Sequence, residues 1–230
     1  MKRLAIGFIL YCCFLLVTLP ASFMDRIAAH FTNGTIRLAN ARGSFWQGSA
    51  TLGAAGQDCG ALSWKVSPME LLLARLHIRF DSGMEILATP SGIELKNVSL
   101  DLPASILARM SRQMKAIRPQ GDIRISAGDF LFSSRSKGQI SAIWENASSP
   151  FSHVNPLGSY RITITGTGPT FEIGLETVNG PLALSGKGTW TKKGGVQFSG
   201  FGQSGNEGVV ELLRLAGPAV GGGRYALRLF

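Results

Sequence analysis

Several groupings in this sequence have residue types and spacing that could do chemistry. Gly200-Phe201-Gly202-Gln203-Ser204-Gly205 spells G-x-G-x-x-G, the loop that lays a dinucleotide pyrophosphate against a helix N-terminus. It follows an expected strand and precedes an expected helix, but the fingerprint also needs a second parallel strand and an acidic residue about 20 positions on. Only one strand is expected after that helix, and no Asp or Glu follows Glu211. The glycines therefore read as a tight turn between strand and helix. Gly186-Lys187-Gly188-Thr189 resembles the end of a P-loop, yet glycine follows the lysine and Pro181 stands where the first glycine belongs. Asp122 and Asp129 flank neighbouring expected strands and could meet across a hairpin as paired acids, although strand-end carboxylates are the commoner reading. His30, His77 and His153 each lack a second ligand at metal spacing and read as surface or loop histidines. There is no G-x-S-x-G elbow for a serine nucleophile. The chain does not read as an enzyme, and no cofactor is implied.

The elements around these residues read almost entirely as short strands. From 158 to 190 apolar residues fall on every second position: Tyr160, Ile162, Ile164, then Phe171, Ile173, Leu175, then Leu182, Leu184. Arg161, Thr163, Thr165, Glu172 and Glu176 stand between them, so each strand has one dry and one wet face. Strands are expected at 35–41, 44–52, 60–67, 76–81, 84–88, 93–102, 122–126, 130–134, 139–145, 159–165, 170–177, 182–191, 196–201 and 224–229. No strand–helix–strand alternation appears, which favours an antiparallel meander over a doubly wound sheet. Three short helices interrupt it. One opens at Pro68, one opens at Pro103 with Ile106, Leu107, Met110, Met114 and Ile117 on one side, and one covers 209–215. Arg109, Arg112 and Lys115 on the second helix are candidate membrane-surface contacts. Phe45 and Trp46, beside glycines, are candidate docking aromatics, with the core as the alternative place for them. So few helices cannot cover so many strands, so the expected architecture is a curved, partly open sheet.

Lys2 and Arg3 precede a run without charge from residue 4 to residue 24. As a helix that run spans roughly 32 Å at about 1.5 Å per residue, enough for a hydrocarbon core of about 30 Å. The anchoring side chains would be Leu4, Ile6, Phe8, Ile9, Leu10, Phe14, Leu15, Leu16, Val17 and Leu19. Basic residues ahead of the run keep the N-terminus cytoplasmic, which places a tail at 1–3, an anchor at 4–24 and an exported domain at 25–230. ASFMDRIAAHF could extend the helix beyond the membrane. The alternative is a signal peptide cut after Ala21. Either way the rest of the chain is exported. Cys59 is then the single cysteine outside the apolar run and has no internal partner. The net charge is +9, or +7 without Lys2 and Arg3, and export makes nucleic acid an improbable partner. Membrane lipid or an acidic protein fits better.

Taken together, these pieces resemble one family, protein N of the bacterial type II secretion pathway. The resemblance rests on the short anchor, LANARGSFWQGSATL, LSWKVSPMELLLARLHIRF, GSYRITITGTGPTFEIGLETVNGPLALSGKGTW and ELLRLAGPAVGGGRYALRL, in that order. Residues 95–150 match no pattern of it. The resemblance implies a non-catalytic inner-membrane subunit with a periplasmic β domain, whose partners are other type II secretion subunits and inner-membrane lipid. The fold it implies is mainly β: a transmembrane helix, then a curved, largely antiparallel sheet with a few short helices. That sheet is also similar to the repeating domains of AsmA-like envelope proteins, whose curved sheets can hold lipid chains.

Overall fold

The structure is a computed structural model that describes residues 11, 14–15, 18–71, 73–110 and 112–229. It is mainly β, with sixteen strands and a few short helices among the described residues, and every strand pair described is antiparallel. Contacts divide the chain into two compact units, Met1–Leu87 and Ala88–Phe230.

The first unit contains α1 (Ser22–Phe31), β1 (Ile36–Gly43), β2 (Gln47–Ala54), β3 (Gln57–Val66), the single turn α2 (Pro68–Leu71), β4 (Leu76–Phe80) and most of β5 (Glu85–Thr89). Its strands follow one another as a meander, so register is set hairpin by hairpin: Leu38 opposes Leu52, Gly48 opposes Trp64, and Trp64 opposes Phe80. Ala21, Met24, Phe45, Ala50, Trp64, Val66 and Ile78 form its core. Trp64 is 1% exposed and its indole Nε1 donates to the Phe45 carbonyl at 3.0 Å. The indole can lie flat on the sheet because its partner across the ladder, Gly48, has no side chain there.

Residues 19–24 join this core. Phe45 N donates to the Leu19 carbonyl at 2.9 Å, Pro20 bridges Ser44, and Ala21 N donates to the Gly43 carbonyl at 3.2 Å. The chain therefore starts α1 afresh at Ser22 after these non-helical contacts, whereas the sequence suggested one continuous helix. A residue pair on α1 and β1 fixes the new direction. The Asp25 carboxylate accepts from the Arg37 guanidinium at 2.7 and 3.0 Å and from the Leu38 amide at 2.8 Å. Those bonds, Arg37's first, hold the Asp25 carboxyl below its usual range.

The second unit runs β6 (Gly92–Lys96), β7 (Val98–Pro103), a 3-10 turn (Ala104–Ile106), α3 (Leu107–Met110), α4 (Arg112–Ile117), β8 (Gln120–Ala127), β9 (Phe130–Ser133) and β10 (Ser136–Ser148). Then come β11 (Gly158–Gly168), β12 (Thr170–Asn179), β13 (Leu182–Thr191), β14 (Gly195–Ser204), α5 (Glu207–Ala216), β15 (Ala219–Gly221) and β16 (Arg224–Leu229). Strand β10 is the fork of the sheet. Its start, at Lys137, pairs with β9, and its longer remainder pairs with β8, which carries β7 on its other side. The expected strand at 93–102 is two strands, because Asn97 takes a left-handed φ of 49° between β6 and β7. The helix expected from Pro103 begins as a 3-10 turn, and α2 lasts only four residues. Helix α5 starts at Asn206, whose Oδ1 accepts from the Gly208 amide at 3.0 Å, the usual role of an N-cap side chain.

Candidate functional site

Register separates the two faces of the second unit as the alternation expected. Ile140, Ile164 and Ile173 stand opposite one another on β10, β11 and β12, as do Ala142, Ile162 and Leu175. On the other face Thr165 opposes Glu172, which opposes Thr189. Arg161 bonds Glu176 at 2.7 Å there, and Arg124 reaches both Asp101 and Glu145 at 3.1 and 3.0 Å. A groove of about 720 Å³ lies on β11 to β14, lined by Thr163, Glu172, Lys187 and Gln197 and also by Ile173 and Phe198.

The apolar face is covered only in places. Helix α5 seats Val209 and Leu213, both buried, against β14 and β16. The 3-10 turn buries Ala104 and Ile106 beside β8. Between these covers Ile140, Ile162, Ile164, Ile173, Leu175 and Leu184 stay half-buried.

The first two glycines of the G-x-G-x-x-G run lie inside this face, and the third, Gly205, lies in the bend between β14 and α5. Gly200 and Gly202 are in mid-strand β14, where Phe198 lies over Gly186 and Gly200, and Leu213 of α5 presses on Gly202. A missing side chain, not backbone freedom, is what the position needs. The expected tight turn between strand and helix is confined to Gly205 and Asn206.

At the far end of the same face the aromatic side chains form a row. Phe132 stacks on Phe171 at 5.2 Å and on Trp190 at 5.9 Å between ring centres, and Phe171 lies 5.0 Å from Trp190. Gly138 and Gly166 oppose each other on the intervening strands β10 and β11.

The expected site residues fall as follows. Phe45 is 6% exposed and packs edge-on to Trp46 at 5.2 Å and to Phe23 at 6.0 Å, while Trp46 is half-buried against the same core. Phe45 is thus a core residue of the first unit rather than an exposed docking ring. Arg109 and Lys115 are exposed, and the side chain of Arg112 lies outside the described residues. Of the anchor residues, Phe14 and Leu15 are exposed and Leu19 packs on the first unit's core. Leu4, Ile6, Phe8, Ile9, Leu10, Leu16 and Val17 lie outside the described residues. No helix among the described residues is long and apolar enough to cross a membrane. Asp122 and Asp129 do not meet. Asp122 opposes Pro103 and Glu145 near one end of β8, and Asp129 follows the other end. Cys59 is a free thiol.

His77 is not an isolated histidine. Its Nδ1 lies 2.9 Å from the Glu70 carboxylate and its Nε2 lies 3.0 Å from Glu85. Both ring nitrogens can donate only as imidazolium. The Glu70 carboxylate above all, with Glu85 behind it and partial burial opposing, raises the His77 pKa. A raised folded-state pKa stabilises fully below the unfolded value of about 6.5 and is lost as pH rises through the folded value. Urea midpoints of the protein at pH 6 and pH 9 should therefore fall more for the native chain than for His77→Gln. Equal falls would show that the cluster does not contribute.

Fold and faces define a class, a mainly β protein built on open antiparallel sheet with one dry and one wet side. A family model described as type II secretion system protein N matches residues 34–228, and the chain belongs to that family. No curated protein and no solved structure matches it. Membership assigns it to the type II secretion system as an accessory component that works with others of that system.

Proposed function

We propose that this accessory subunit is held in the bacterial inner membrane by the uncharged N-terminal run ahead of residue 19, since residues 19–24 belong to the first unit's core, and binds other secretion subunits in the periplasm through its exported sheet, without catalysis. The anchor is supported by the uncharged run behind Lys2 and Arg3. The observation that carries the binding role is the outer side of β7. Among the described residues β7 pairs with β8 alone, so a row of backbone donors and acceptors faces away from the sheet. Such an edge accepts an extended segment of a partner as an added strand. Strand β1 differs, because α1 lies against it and Asp25 takes the Leu38 amide. Affinity purification of the full chain from membranes, with mass spectrometry of proteins and lipids, tests this. Other type II secretion subunits are expected; their absence would count against it.

One observation favours a second reading, lipid handling, and that is the half-buried aliphatic row from Ile162 to Leu184. A half-exposed isoleucine loses less on truncation than a buried one, so Ile164→Ala should cost about 1–2 kcal/mol. Thr165→Ala on the wet face should stay within about 0.5 kcal/mol. Denaturant midpoints check both. An Ile164→Ala variant that unfolds normally but loses co-purifying lipid would favour the lipid reading.

A further inference from the structure

We propose that the aromatic end of the second unit's apolar face docks on the surface of an anionic lipid bilayer. Ile93, Phe132 and Val196 are 41%, 44% and 43% exposed. They are neighbours, since Ile93 opposes Phe132 and Trp190 opposes Val196, with Phe132 and Trp190 stacked between them. A contiguous exposed apolar patch is uncommon on a soluble surface and marks a place where something apolar is met.

Charge selects the partner. The turns at this end, 133–136, 167–170 and 191–195, carry Arg135, Lys192 and Lys193, Lys137 follows directly, and no Asp or Glu stands in any of them. All four cations are exposed, and among the described residues none is in an ion pair. Cations beside an apolar patch that includes a Trp match an interface where phosphate headgroups border acyl chains. A protein interface core, by contrast, is depleted in Lys. The opposite end of β10 is less suited. Arg109 and Lys115 are exposed near there, but β7, β8 and β10 bring Asp101, Asp122 and Glu145 to that end.

The test reconstitutes the full chain into vesicles containing a photoactivatable phospholipid, in phosphatidylcholine alone or with phosphatidylglycerol added. Adducts are mapped by mass spectrometry. Adducts are expected on Phe132, Trp190 and Val196 in phosphatidylglycerol vesicles, and at least about 25-fold fewer without the anionic lipid or in Lys192→Glu/Lys193→Glu, since each of the two lost charges is worth about fivefold. Adducts ahead of residue 19 report equal incorporation in every arm. Adducts confined to 109–117, to the mid-sheet residues Ile162 to Leu184, or undiminished in the charge-reversed variant would overturn it.

Discussion

Gly180→Ala is expected to destabilise the protein by roughly 3 kcal/mol or more, a large part of the stability of an ordinary domain. Gly180 turns β12 into β13 at a φ of 119°, outside the regions open to an L side chain. An added Cβ would also overlap the Gly158 Cα and lie 2.8 Å from the Leu157 carbonyl, both backbone. Nothing there can swing aside. The same corner holds Tyr160, 3% exposed, whose hydroxyl donates toward the Leu157 and Leu182 carbonyls at 3.2 and 3.1 Å. Burial pushes the Tyr160 phenol well above its ordinary pKa, so it stays a donor. Gly128→Ala is the control, because nothing lies within 4 Å of its Cβ position and its φ is ordinary. It should shift a denaturant midpoint little, and equal losses at Gly180 and Gly128 would refute the packing described for this corner.

The second large effect belongs to the first unit. Trp64→Ala removes its largest fully buried side chain and should cost about 3–5 kcal/mol. Trp64→Phe keeps most of the volume but leaves the Phe45 carbonyl without its indole donor, for about 1–3 kcal/mol. Thermal or urea unfolding distinguishes the two. If Phe is tolerated as well as Trp, the hydrogen bond contributes nothing and packing alone explains the site.

The faces of the sheet were legible in the sequence because a strand's period of two survives any topology. Ile162, Ile164 and Ile173 stand on one side, and Thr163, Thr165 and Glu172 on the other, as the alternation required. Features that depend on register were not legible. Phe132 meets Trp190 across the intervening strands, and no spacing rule encodes that. His77 gathers Glu70 from a helical turn and Glu85 from the next strand, so its partners lie seven and eight residues away with nothing periodic to mark them. The left-handed Asn97 was an available signal, since Asn tolerates that conformation better than most residues, yet the apolar alternation on either side concealed the break. Phe45 and Trp46 lie in the expected strand at 44–52, where spacing alone left docking and core both open; Gly48 of that strand makes room for the Trp64 ring.

Strand β7 is the edge through which this subunit is proposed to meet the rest of the secretion system. That role is tested most directly by placing a photo-crosslinking amino acid at Ser99, at the exposed edge, in cells that are actively secreting. An adduct with another type II secretion subunit is expected, absent when the same group is placed at Lys65 of β3, a strand paired on both sides. Adducts from Lys65 but none from Ser99 would contradict it.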